Sequence, residues 1–465
     1  MRSWLRKWIG TKAFYRMVIA IVLPIIIQNA ITNFVSLLDN LMVGRIGTDE
    51  MSGVAITNQL MFVFNLTIFG AVSGAGIFSA QYHGAGNVEG VRHAFRYKLY
   101  IALILCVGAI ALFLSIGPKL ISLYLTDTSD PVRVANTLKH GMDYLKVMVI
   151  GLIPFALSQS YAGTLRETGE TFVPMLSGII AVLVNLLFNW LLIFGVPFLG
   201  IEPMGVRGAA YATVLSRYVE LAIIVIYTHT HTKKHPFGKG LYRSLRIPGR
   251  VIRDITIKGL PLLANELIWS MGIALLSQIY SARGLDVVAA TNISSTVSNL
   301  FSVAFLSMGS ASSIIVGQTL GANEVEKAKD HAWKMLAFST AVAFVMSLIL
   351  AAVSPFIPML YNTTASVRGM ATRLILATCA AMAFHAYTNC SYFILRSGGK
   401  TVITFIFDSG FVWLLSVPLA FVLTRFTGLN VVVAYLCVQM LDLVKAVFGY
   451  ILIRTGIWVQ NIVAR

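Results

Sequence analysis

The chemistry in this sequence rests on a few acidic residues set in long apolar runs. Asp39 lies in the stretch Leu23–Gly47, which is interrupted by Pro24 and closes on a Gly44-Arg45-Ile46-Gly47 turn. It is the only charged residue from Met17 to Val43, so its carboxylate falls inside or at the edge of a segment fit for hydrocarbon. A carboxylate at that depth costs roughly 2.5–3.5 kcal/mol on insertion scales and turns toward protein or a water-filled cavity, where a cation can visit it. The other reading is a carboxylate near a helix end that snorkels to the interface. Glu266 and Asp408 also sit in apolar runs, with no oppositely charged neighbour at helical spacing. Either they receive a cationic substrate or they pair across helices. Arg217 with Glu220, and Asp442 with Lys445, are three residues apart and read as self-neutralising structural pairs. Trp190 and Trp269 lie beside polar positions and can offer a ring face to a cation, against the plainer reading of packing.

These residues need a membrane scaffold. The 465 residues are 57% hydrophobic and only 12% charged, against roughly 25% charged in an average soluble domain. About 20 apolar residues are needed to span a bilayer, and twelve runs qualify: 17–42, 52–80, 97–117, 137–163, 172–197, 207–228, 256–281, 287–316, 332–354, 370–395, 402–424 and 430–453. The run after the basic start is longer than the roughly 7–15 residues of a signal-peptide core, so a first span is expected rather than a cleaved leader.

A formal charge of +17 raises the question of nucleic acid, but the cations lie between apolar runs rather than in one stripe. Membrane topology accounts for them better. Arg2, Arg6, Lys7, Lys12 and Arg16 precede the first span; Arg92, Arg96 and Lys98 fall in the second connection; Lys233, Lys234, Lys239, Arg243, Arg246, Arg250 and Arg253 in the sixth; Lys327, Lys329 and Lys334 in the eighth. Odd-numbered connections are poor in cations, which places both termini in the cytoplasm.

Other candidate motifs carry little. Cys106, Cys379, Cys390 and Cys437 all fall in apolar stretches without CxxC spacing and read as packing residues. His229, His231 and His235 lie in a basic linker read as mobile and solvated rather than as a metal site. Gly399-Lys400-Thr401 lacks the leading glycine of a phosphate loop, Ile394 standing in its place. No cofactor and no metal are expected.

The halves repeat. Leu165-Arg166-Glu167-Thr168-Gly169-Glu170-Thr171 recurs as Leu395-Arg396-Ser397-Gly398-Gly399-Lys400-Thr401, an offset of 230. At an offset of 237, Leu23-Pro24 meets Leu260-Pro261, Gln81 meets Gln318, Gly84-Ala85 meets Gly321-Ala322 and Val88-Glu89 meets Val325-Glu326. Six spans separate the copies, so both enter the membrane in the same sense, as parallel repeats about an axis along the membrane normal. A transported species would then bind between them and rocking would give alternating access, with Pro24 and Pro261 as hinges.

Leu38-Asp39-Asn40-Leu41-Met42-Val43-Gly44, the Asn185–Asn189 segment ending at Gly195, Gly208-Ala-Ala-Tyr-Ala-Thr213, Gly317-Gln318 to Gly321-Ala322 and the duplicated Leu-Arg-x-x-Gly-x-Thr together resemble the multidrug and toxic compound extrusion (MATE) family, over essentially the whole chain. That resemblance implies an antiporter exporting amphipathic, often cationic compounds in exchange for inward H+ or Na+. It implies coupling-ion binding by Asp39 with Asn185 and Asn189. It also draws attention to Glu266 in Pro261-Leu-Leu-Ala-Asn265-Glu266-Leu-Ile-Trp269, and to the tenth span, where this chain has His385 and no carboxylate. Asn185 and Asn189 are four apart and share a helix face. They can offer carbonyl oxygens to Na+ or hydrogen bonds to an ionised acid, or else glue two helices together.

The expectation is an all-α membrane protein of twelve transmembrane helices in two pseudo-symmetric six-helix bundles: 1–228, a basic cytoplasmic linker at 229–254, and 255–465. It is a multi-pass protein of the cell (inner) membrane, not an enzyme, working as a monomer on a small organic substrate and H+ or Na+. Substrate-cavity candidates are Glu266, Asp408, Trp269, Asn265 and His385. The rivals are a flippase for a lipid-linked saccharide, whose cavity would be lined by Arg and Lys, and a non-transporting scaffold or receptor.

Overall fold

The computed structural model describes residues 8–125, 131–196, 200, 202–361 and 363–464; side chains of 35–41, 44, 48 and 285 are outside that description. The described residues are helical with no strand ladder. The first half contains α1 (Lys12–Gly44), α2 (Thr48–Gly84), α3 (Val88–Ser122), α4 (Pro131–Met148), α5 (Leu152–Glu167), α6 (Phe172–Phe194) and α7 (Gly205–Thr230). The second contains α8 (Gly249–Ser281), α9 (Leu285–Gly321), α10 (Val325–Val353), α11 (Ala365–Ser397), α12 (Thr401–Phe405), α13 (Val417–Arg425), α14 (Val431–Gln439) and α15 (Leu441–Arg454). Twelve stretches among them are long and apolar enough to cross a membrane.

Three spans are broken internally. A 3-10 turn, Val149–Gly151, joins α4 to α5; Pro154, just beyond it, has no N–H to return to the preceding turn. Two π-turns, Ile406–Gly410 and Val412–Ser416, join α12 to α13. Met440 separates α14 from α15. Pro24 and Pro261, by contrast, lie inside unbroken helices.

Helix ends make the duplication visible. The ends of α1 and α8 correspond at an offset of 237, Lys12 to Gly249 and Gly44 to Ser281. The ends of α2 and α9 do the same, Thr48 to Leu285 and Gly84 to Gly321. Several helices outrun the apolar runs that signal them. The third span, expected at 97–117, is helical over Val88–Ser122. Its 35 residues give about 50 Å of helix against a hydrocarbon layer of about 30 Å. Glu89, Arg92 and Arg96 pair on the polar overhang, which holds that extra turn in helix.

The chain forms two compact units whose limits differ from the sequence halves. One comprises the chain up to Ile26, Ala80–Asn87 and Thr256–Arg465; the other comprises Ile27–Ser79 and Val88–Ile255. In the first, Phe14, Val18 and Ile21 of α1 are buried in one apolar cluster with Ile315, Leu336, Leu395 and Trp458, which is why the start of α1 belongs there. In the second, Phe64 and Ile68 of α2 pack with Cys106, Phe113, Leu145, Leu152, Val206 and Ala210. Small residues allow close helix approach there: Gly53 of α2 lies against the Gly141 backbone of α4, where Thr57 donates to the Gly141 carbonyl at 3.0 Å. All four cysteines are free, and Cys106 and Cys390 are buried.

Candidate functional site

In the amino-terminal half, α6 sets Asn185 and Asn189 one turn apart, both buried. The Asn189 amide donates to Asn185 Oδ1 at 3.2 Å, and the Asn185 amide donates to Thr213 Oγ1 of α7 at 3.2 Å. Gly208 permits this approach, since a side chain there would run into the Leu192 carbonyl. The pair therefore forms part of an α6–α7 hydrogen-bond seam. Asp39 lies on α1, and its side chain falls outside the described residues.

The carboxyl-terminal half holds a denser cluster. Asn265 and Glu266, adjacent on α8, are both buried. The Tyr392 hydroxyl of α11 donates to Glu266 Oε1 at 3.1 Å. The Asn265 amide donates to Asp408 Oδ2 at 3.1 Å and reaches the Tyr392 oxygen at 3.3 Å. Its carbonyl oxygen accepts from the Ser409 N–H (3.2 Å) and hydroxyl (2.7 Å). Asp408 and Ser409 occupy the first π-turn, the kind of widened turn that re-aims side chains inside a helix. Lys445 of α15 closes the cluster with an ion pair to Asp408 Oδ1 at 2.6 Å. Glu266 has no ion pair among the described residues, although Arg396, stacked 5.1 Å from the Phe393 ring, acts on it electrostatically.

The structure thus joins Glu266, Asn265 and Asp408 and leaves two other candidates apart. Trp269, one turn beyond Glu266, is half-buried and has no hydrogen bond or ring contact to the cluster among the described residues. His385 Nδ1 instead meets Asp442 Oδ2 at 3.0 Å.

Two pairings read from spacing are corrected. Lys445 bonds Asp408 rather than Asp442, three residues away, because the π-turn brings Asp408 to it across helices. Arg217 donates to the Gly151 carbonyl at 3.1 Å and lies over the Phe155 ring. Glu220 feels Arg166 as well as Arg217. Lys98, read as a loop cation, is fully buried on α3 and bonded to Thr164 (3.0 Å) and Glu167 of α5. Gly76 of α2 makes room for that carboxylate.

The basic linker is likewise not a solvated loop throughout. His235, Phe237 and Leu241 are buried. Arg92 donates to the carbonyls of Pro236 (2.9 Å) and Phe237 (3.3 Å), Arg96 to that of Leu241 (3.0 Å), and the Tyr100 hydroxyl to that of Leu245 (2.7 Å). Tyr161 meets both His229 (3.0 Å) and Tyr242. Arginine forks on α3 satisfy backbone carbonyls that water would otherwise serve. The described residues contain no group of His, Cys, Asp and Glu suited to a metal ion.

Tyr392, Ser409 and the Lys445–Asp408 pairing do not stand out in the sequence. Tyr392 carries a usable signal: it stands one turn before Arg396 of the duplicated motif, and a phenol in a span needs a hydrogen-bond partner.

Among the described residues, twelve stretches fit to cross a membrane, with ionisable residues buried in them, and an internal duplication together fit a polytopic membrane transporter. The chain belongs to the MatE family, whose model matches residues 24–191 and 261–422, once in each half. It is similar to the probable multidrug resistance protein YoeA of Bacillus subtilis, 24% identical over 88% of this chain and 86% of the relative. It is also similar to the probable multidrug resistance protein NorM of Thermotoga maritima, 26% identical over 66% of this chain and 64% of the relative. A solved multidrug resistance MATE family transporter of the MOP superfamily, in an outward-facing conformation, superposes with a TM-score of 0.84 at 18% identity, over 96% of this chain and 98% of that one. At that identity the likeness is one of fold. Members of the family are multidrug efflux transporters rather than enzymes.

Proposed function

We propose that this protein is a secondary active antiporter that exports organic, often cationic, compounds in exchange for inward H+ or Na+. The observation that carries the proposal is Glu266, a buried carboxylate in a membrane-spanning helix that accepts the Tyr392 hydroxyl and has no ion pair among the described residues. Asp408 beside it already has Lys445. An intramembrane acid that no described residue ion-pairs can receive a visiting cation even with the Arg396 charge nearby, so Glu266 handles cations in this half while Asp408 anchors Asn265. In the amino-terminal half the coupling ion is assigned to Asp39 with Asn185 and Asn189. A coupling ion and an organic cation that lower each other's affinity are linked reciprocally, and that linkage produces exchange.

The names of the relatives, multidrug resistance proteins, support the substrate class. Bias of Lys and Arg toward the even-numbered connections supports a cell (inner) membrane location with both termini in the cytoplasm. The protein is expected to work as a monomer. The test is reconstitution into vesicles with an imposed proton gradient or an imposed sodium gradient, following a fluorescent organic cation. Export driven by one of the two is expected. Lipid scrambling without export would point to a flippase, and no movement of either would remove transport altogether.

A further inference from the structure

We infer that the connection from Lys233 to Arg253 is a preformed docking surface for anionic phospholipid headgroups at the membrane face. This goes beyond the transport reading and does not depend on it. Charge comes first. Lys239, Arg243, Arg246 and Arg253 are exposed and have no ion pair among the described residues, and Arg250 reaches only Asp254, at 3.9 Å. Lys234 is taken by Glu170.

Apolar side chains alternate with these cations: Tyr242, Leu245 and Ile252 are 56%, 60% and 41% exposed. Cations with an interleaved aromatic and aliphatic residue match the chemistry of the interface, where phosphates lie above the first carbons of the acyl chains.

The backbone of the segment is held rigidly. Phe237 and Leu241 are buried, and Arg92, Arg96 and Tyr100 of α3 bond the carbonyls of residues 236, 237, 241 and 245. With the inward-facing residues fixed, the remaining positions, including the cations, are presented outward at little further ordering cost on binding. The segment also runs directly into α8 at Gly249, a spanning helix, so it lies at a membrane boundary. A juxtamembrane run of four to eight cations is the composition that attracts anionic lipid, each contributing about a fivefold gain in binding near the surface.

The test uses the full-length protein in nanodiscs of phosphatidylcholine with increasing phosphatidylglycerol, counting retained lipids by native mass spectrometry after delipidation. The variant is R243Q/R246Q/R250Q/R253Q, all exposed positions. A control variant, K327Q/K329Q, neutralises exposed cations of α10. Wild type and control are expected to retain phosphatidylglycerol over phosphatidylcholine, and the quadruple variant to lose at least tenfold of that preference. Equal retention by the quadruple variant overturns the inference. So does displacement by millimolar inorganic phosphate, which would mark a free-phosphate site, or preferential capture of duplex DNA in a competition arm. Folding of the variant is checked by its melting temperature in neutral lipid, expected to match wild type.

Discussion

Gly84 of α2 and Gly321 of α9 stand in reciprocal contact. A side chain on Gly84 would enter the Gln318 carbonyl, and one on Gly321 would enter the Gln81 carbonyl. Gln81 and Gln318 are themselves counterparts at the 237-residue offset, so the contact is the duplication closing on itself. Gln81 adds to it by donating to the Ser397 carbonyl at 2.9 Å and accepting from the Ile462 N–H at 2.8 Å. Because backbone rather than a flexible side chain blocks the space, Gly84→Ala and Gly321→Ala should each cost about 1–3 kcal/mol. The check is thermal unfolding in detergent, where an unchanged midpoint for both variants would refute the packing.

Lys445 and Asp408 give a second prediction. Removing one member of a largely buried pair strands the other, at about 3–5 kcal/mol, whereas removing both can be close to neutral. Lys445→Met should therefore be more destabilised than the double variant Lys445→Met/Asp408→Asn. A double-mutant cycle on melting temperatures measures the coupling, and simple additivity would contradict it.

A pH dependence follows from Glu170, between α5 and α6. Burial alone pushes its carboxyl up, but the hydrogen bond and charge of Lys234, the Val173 N–H and His235 outweigh burial and hold it below its ordinary value of 4.5. A carboxyl lowered in the folded state adds stability that is present above its unfolded value and is lost as pH falls through the lower folded value. In Lys234→Gln the acid loss should begin at higher pH than in wild type. Melting temperatures followed downward from neutral pH test this, and superimposed curves would contradict it.

Much of the fold was legible because hydrocarbon imposes its length on every span and because the two copies corroborate each other. Leu23-Pro24 and Leu260-Pro261 marked helices whose ends correspond residue for residue. The site was legible in part. Glu266, Asn265 and Asp408 stood out as polar residues in apolar runs, and they do meet. Their partners were hidden because an ion pair across helices leaves no trace in local spacing: Lys445 is 37 residues from Asp408, and Glu167 is 69 from Lys98. Lys98 reads as a loop cation in the sequence because it borders an apolar run, while its helix begins ten residues earlier. The linker misled in the same way, since its order comes from arginines on α3 rather than from its own composition.

The proposed antiport rests most on intramembrane carboxylates that exchange one cation for another. Its most direct test is export of a fluorescent organic cation from vesicles bearing wild type, Asp39→Asn or Glu266→Gln, each under the driving ion gradient and under none. Asp39→Asn is expected to abolish gradient-driven export and Glu266→Gln to lower it at least tenfold, both proteins remaining folded. Export that keeps its rate and its ion dependence in both variants would contradict it.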